Sequence, residues 1–207
     1  MSTIFRFLGL ALLTLGVSSS PAAATILYSN VGNFALDNDV LLVPFTVSDP
    51  SLVSFRTLSY GGGINANGAV IAKGGFEPLL QLFNLDGSVN GGSIFPGPGS
   101  DPCGPRTPDP DRANFCLDIF AQVALGPGDY LLALTQNDNV TAGSDLSGGF
   151  IYDGDPNFNN GFATLFFQGD SHWALDVTSD QVPEPASLWM TASALLLAGW
   201  RVRRRTN

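Results

Sequence analysis

The sequence predicts an all-β fold, an antiparallel β-sandwich of jelly-roll type, set between two processing segments. Three observations predict it. Residues 25–181 hold several short apolar or alternating runs separated by Gly, Pro, Asn and Asp, the pattern of strands and turns. No stretch of that body carries a sustained helical period. The two ends differ from the body: residues 1–24 and 182–207 each contain one uninterrupted apolar run with basic residues beside it. A body of this length is one domain and can bury about 70% of its unfolded surface.

Taken in order, residues 1–24 read as a secretory signal peptide. Arg6 is the positive charge of the n-region, residues 7–17 are apolar, and Ser18 to Pro21 break the run. Ala22, Ala23 and Ala24 supply the small side chains that signal peptidase requires. Cleavage is expected after Ala24, with Thr25 first in the mature chain. An N-terminal membrane anchor is the alternative, but about a dozen apolar residues are short for a span. A signal peptide implies the Sec-type export machinery and signal peptidase as partners.

Strands are expected at 40–48 (VLLVPFTVS), 52–60 (LVSFRTLSY), 78–85, 116–125, 129–136, 161–168 and 172–178. Pro44 cannot donate to a ladder, so the first strand belongs at an edge or a bulge. In the second, Val53, Phe55, Thr57 and Ser59 share one face, and Leu52, Ser54, Arg56, Leu58 and Tyr60 the other. Asp86-Gly87, Gly126-Pro127-Gly128 and Gly169-Asp170 are turn signals. Two long segments, 86–114 and 137–160, interrupt the strands. Loops of that length are functional or mobile more often than neutral.

The body is acidic: its bases are Arg56, Lys73, Arg106 and Arg112, and all eighteen acids of the chain except Glu184 lie within it. No basic patch exists to neutralise phosphates, so nucleic acid is excluded as a partner. The charge favours solubility and divalent cations. Cys103 and Cys116 are the only cysteines. In an exported protein they are expected to form a disulfide closing a Pro-rich loop, which removes on the order of 3 kcal/mol of chain entropy. Two free thiols are the alternative. Two cysteines and the distant His172 do not make a zinc site.

The C-terminal segment opens with Val182, Pro183, Glu184 and Pro185. An uncharged run follows at 186–200, then a basic tail at 201–205 with Arg201, Arg203, Arg204 and Arg205. As a helix the run is about 22 Å long, thin against a hydrocarbon core of about 30 Å. Its arginines favour the cytoplasmic side, which leaves the body outside. This arrangement resembles the PEP-CTERM sorting signal, found on exported proteins of Gram-negative bacteria that make extracellular polysaccharide. The resemblance implies recognition by exosortase and cleavage near the Pro-Glu-Pro. It also implies a transient hold on the inner membrane and release to the cell surface or outside. A plain tail anchor with a Pro-rich hinge is the alternative.

The body carries a second resemblance. Asp39-Val40 leading to F-T-V-S, then S-L-V-S-F-R-T, P-L-L-Q-L-F-N-L-D-G and L-G-P-G-D-Y-L-L-A-L are similar to bacterial pre-peptidase C-terminal domains, which are β-sandwiches. Y-G-G-G (60–63), G-G-F-E-P (74–78), T-Q-N-D-N (135–139) and W-A-L-D (173–176) resemble a PEP-CTERM subgroup built on that sandwich. The subgroup has Asp-Pro where this chain has Glu77-Pro78. The resemblance implies a fold and an extracellular accessory role.

Candidate chemistry is sparse. Gly169-Asp170-Ser171-His172 invites a serine-hydrolase reading, but neighbours on an extended strand point to opposite faces, and a nucleophile must meet its base. Paired aspartates at 37/39, 109/111 and 153/155 could in principle hydrolyse glycosides, yet that spacing is also what turns prefer. Asp37, Asp39, Asp109, Asp111, Asp153 and Asp155, with N-D-N at 137–139, suit structural calcium better; a solvated acidic surface is the bland alternative. Tyr60, Phe76, Phe95, Tyr152 and Phe158 lie in expected loops, where they either pin the loop to the core or stack on sugar rings. The sequence therefore points to a non-enzymatic surface or matrix protein associated with exopolysaccharide. The other readings are a carbohydrate-binding module with a defined glycan site and, third, a hydrolase of unrecognised type.

Overall fold

A computed structural model describes residues 24–93, 117–163 and 168–181. They form strands β1 (Thr25–Asn33), β2 (Leu41–Val47), β3 (Ser51–Thr57), β4 (Gly63–Ile64), β5 (Val70–Ile71), β6 (Pro78–Asn84), β7 (Phe120–Leu125), β8 (Gly128–Gln136) and β9 (His172–Gln181). One sheet has the order β1-β9-β3-β7, the other β2-β8-β6, and β4-β5 is a small separate hairpin. Every ladder is antiparallel. Among the described residues there is no α-helix; a single 3-10 turn, Leu146–Gly148, is capped by the Asp145 carboxylate.

The two sheets share one core. Val43, Phe45 and Val47 of β2, Leu80 and Leu82 of β6, and Leu132 and Leu134 of β8 meet Val53 and Phe55 of β3 and Leu175 and Val177 of β9. The alternation expected for β3 holds: Ser51, Val53, Phe55 and Thr57 are buried, and Leu52, Ser54 and Arg56 half-buried. Pro44 sits where its missing N–H costs least, on β2 at the edge of its sheet. The run PLLQLFN of β6 is buried on both faces because a second, smaller cluster covers the outside of its sheet. There Phe150 packs on Phe83 and Ala133, and Gln81 exchanges hydrogen bonds with Thr141. The long segment 137–160 is thus built onto the sheet rather than hung from it.

Three expectations about strands need correction. The strand from 52 stops at Thr57, because the Asp118 carboxylate gathers the Thr57 hydroxyl and the N–H groups of Tyr60 and Gly61 into a turn. The strand expected from 116 begins at Phe120. Of the strand expected at 161–168, the described residues 161–163 and 168 belong to no strand: Asn160, Gly161 and Phe162 have φ of 49°, 65° and 70°, a left-handed run, and Ala163 meets Gln168 in an isolated antiparallel bridge. Two elements were not anticipated, β1 and the β4-β5 hairpin. A register shift between Ile26 and Tyr28 breaks β1's alternation, and Asn30, Gly32 and Asn33 mask the rest. The hairpin is held down by polar groups: Asp176 accepts from Ser29 Oγ and Ala66 N, and Asn67 bonds Ser29.

The antiparallel pairing sets two ends. Thr25 lies opposite Ser179, so the first and last residues of the body leave from one end. At the other end Asn33 meets His172, and Pro78 meets Gln136. That far end is closed by Phe34 stacked on Phe76 at 5.3 Å, with Trp173 and Phe162 beside them.

Candidate functional site

The far end concentrates the chain's unusual polar groups. The ladder between β6 and β8 continues past Pro78 and Gln136, where Asn137 N donates to Glu77 O at 2.8 Å. This sets Glu77 against the tight turn that follows β8. Asp138 is in that turn with φ 70°, a left-handed conformation that aspartate tolerates better than most residues. Glu77 is 8% exposed. Burial first, and the Asp138 charge second, push its pKa up to about 7.

This shift has a definite consequence for stability. The folded chain holds the Glu77 proton to about pH 7, and the unfolded chain releases it near 4.5. Between those values the folded state binds more protons, so stability falls as pH rises and the loss is complete above about 7. The size is on the order of 2–3 kcal/mol, reduced from the bare shift because water reaches part of the group. Urea denaturation in chelator at pH 5 and pH 8 is expected to show this slope in the native chain, and Glu77→Gln to lose it.

The aspartates proposed from sequence are dispersed by the fold. Asp37 is buried, and its Oδ2 accepts the N–H groups of Asn159 and Gly161 while Oδ1 has no partner. Asp39 accepts the N–H groups of Ala35 and Leu36. Asp153 accepts Phe150 N, and Asp155 is exposed. Asp109 and Asp111 lie outside the described residues. Among the described residues no group of three or more His, Cys, Asp and Glu side chains is placed to hold a metal ion. A further buried acceptor without a donor is Gln136 Oε1, whose Nε2 donates to Ala163 O.

Ser171 and His172 are not assembled as nucleophile and base. Ser171 Oγ faces Asn33 Oδ1, and the His172 ring is taken up by Asp170 Oδ1 and Ala72 O. Of the loop aromatics, Tyr60 and Phe76 are buried and pin their turns to the core. Phe95 lies outside the described residues. Tyr152 and Phe158 belong to neither apolar cluster; they stack on each other, centroids 3.9 Å apart and planes 9° apart, and both stay half-exposed. Asn38 and Asn139 fix the Tyr152 backbone at the far end.

Sequence reasoning missed Asp118, fully buried under the 57–61 turn, where burial pushes its pKa up against the pull of its hydrogen bonds. It also missed the meeting of Glu77 and Asp138, although both stood in quoted motifs. Ala24 is exposed and Thr25 opens β1. Ala22, Cys103, Cys116, Val182, Pro183, Glu184, Pro185, Arg201, Arg203, Arg204 and Arg205 lie outside the described residues. Among those described, no helix is long and apolar enough to cross a membrane. Compared with protein-family models and with characterised proteins, the chain matches none.

Proposed function

We propose that this chain is an exported, non-enzymatic protein of the bacterial cell surface or extracellular matrix, sorted through its C-terminal segment by exosortase and associated with exopolysaccharide. The observation that carries this reading is the pairing of Thr25 with Ser179. A signal peptide ending at Ala24 and a sorting segment beginning at Val182 then attach to one end of a single antiparallel sandwich. During export a body with that connectivity hangs from the membrane by one end. Its far end, with the polar turns and the Tyr152–Phe158 pair, points away. Intact-mass measurement of protein recovered from the outside of its native cells tests this. A mass running from Thr25 to near Pro185 is the expected result; one that runs to Asn207 rejects sorting and leaves a membrane-anchored protein.

A second reading, a module that binds a defined glycan, is favoured by the half-exposed Tyr152–Phe158 stack, which sits outside both apolar clusters among Asn and Asp side chains. Flat rings with polar neighbours suit the apolar face of a sugar. Tyr152→Ala and Phe158→Ala are each expected to weaken retention on host polysaccharide by about 3- to 10-fold. Unchanged retention with unchanged melting temperature rejects this site.

A further inference from the structure

We propose that the Tyr152–Phe158 stack, with the carboxylates of Asp153 and Asp155, is a site for a cationic polysaccharide, one whose sugars carry free amino groups. The proposal rests on the glycan-binding reading above and adds the charge of the ligand. The two rings lie 3.9 Å apart and 9° from parallel, so no water fits between them. The half-exposure that each keeps is therefore on its outer face and edges. Such faces take the C–H groups of a sugar, and they also attract an ammonium group through the ring quadrupole. The backbone beneath Tyr152 is fixed. Asn38 Nδ2 donates to Tyr152 O at 3.0 Å, Tyr152 N donates to Asn139 Oδ1 at 3.4 Å, and Asp155 N closes a turn on Tyr152 O at 2.9 Å.

The second observation is the sign of the charge around the rings. Asp153 and Asp155 are both exposed, and Asp153 Oδ2 accepts Phe150 N at 2.8 Å, which keeps that carboxylate in the turn that carries Tyr152. On the Phe158 side, Asp37 Oδ2 accepts the N–H of Asn159 at 2.9 Å, which sets a buried carboxylate against the backbone next to the second ring. Within residues 137–163 nothing offsets these charges: the segment has four aspartates and no Lys, Arg or His. The bases among the described residues, Arg56 on β3 and Lys73 after β5, each have an interaction of their own. A polyuronate brings like charge to this surface, and a neutral polymer gains nothing from the carboxylates. A polymer bearing amines gains from both parts of the site, the ring faces and the carboxylates. Its charges recur along the chain, so more than one acts within a Debye length of about 10 Å at 0.1 M salt.

The test is calorimetric titration of the purified protein at low salt and about pH 6, where carboxylates as a class are ionised. The probes are soluble hexamers of glucosamine, of N-acetylglucosamine and of a uronic acid. The glucosamine hexamer, its amines largely protonated, is expected to bind about 5- to 10-fold tighter than the acetylated one, and the uronate not to bind. Tyr152→Ala is expected to weaken both glucosamine-type hexamers by about 3- to 10-fold. Asp153→Asn combined with Asp155→Asn is expected to remove the preference for the amine and leave the acetylated hexamer unaffected, and added sodium chloride to do the same. Asparagine at 153 keeps an oxygen for Phe150 N, so an unchanged Tm is expected and shows that the turn is intact. Equal binding of the two hexamers, lost in Tyr152→Ala, overturns the charge assignment and leaves the glycan-binding reading standing. Binding of neither overturns both. Binding of the amine hexamer that survives Tyr152→Ala and Phe158→Ala, or that pentalysine matches, means a diffuse acidic surface and overturns the site.

Discussion

Asp118→Ala is expected to lower stability by about 4 kcal/mol, a fall in Tm of about 8–16 °C for a domain of this size. Asp118 is fully buried. Its Oδ1 accepts the Thr57 hydroxyl at 2.9 Å and Tyr60 N at 3.2 Å; its Oδ2 accepts Gly61 N at 2.7 Å. The Thr57 oxygen in turn accepts Ile119 N at 2.8 Å, and Thr57 N donates to Ile119 O. One carboxylate therefore ends β3, starts the turn that leads to the β4-β5 hairpin, and ties both to the start of β7. Alanine leaves three donors without an acceptor, each costing about 1–3 kcal/mol where water cannot enter. Asparagine discriminates the mechanism. Its oxygen can keep the Thr57 and Tyr60 bonds, but its amide then faces Gly61 N–H, donor against donor. Asp118→Asn should cost about half as much as alanine. Equal losses in the two variants would mean that side-chain volume, not acceptor chemistry, holds this turn. Urea denaturation of the three proteins at one pH decides between them.

The parts of the fold legible in the sequence were those written in side-chain period. β3 announces itself because Val53, Phe55 and Thr57 alternate with polar neighbours, and β6 because an unbroken apolar run is bounded by a turn. Pro44 announced an edge. β1 was not legible, since its bulge shifts the inward set from one parity to the other and local pattern carries no trace of the correction. The β4-β5 hairpin has too few residues for any period, and its placement depends on Asp176 and Ser29, which read as ordinary surface residues. The candidate site was half legible. Glu77 and Asp138 each stand in a conspicuous motif, yet their meeting depends on a register fixed by β6 and β8 as a pair. The aspartate pairs misled for the opposite reason: Asp37 and Asp39 are close in sequence but serve different N–H groups.

Gly75→Ala is expected to destabilise the chain by about 3 kcal/mol or more, while Gly74→Ala beside it should cost only about 1 kcal/mol. The two glycines are required for different reasons. Gly74 has φ 113°, a conformation costly for any L side chain, but open space where its Cβ would go. A Cβ on Gly75 would stand 2.4 Å from Ser59 O and 2.6 Å from His172 O. Both are backbone atoms. Gly75 N donates to Ser59 O at 2.9 Å, and Gly75 bridges Asp170, so three backbone segments cross within contact of one another. No side-chain rotation relieves that clash; the strand itself has to move. The residues it would carry with it are Phe76, which closes the core against Phe34, and Glu77. Gly75→Ala should therefore melt well below the native chain, whereas Gly74→Ala should melt only slightly below it. A Gly75→Ala protein that melts like the native chain would mean the three segments do not cross this closely.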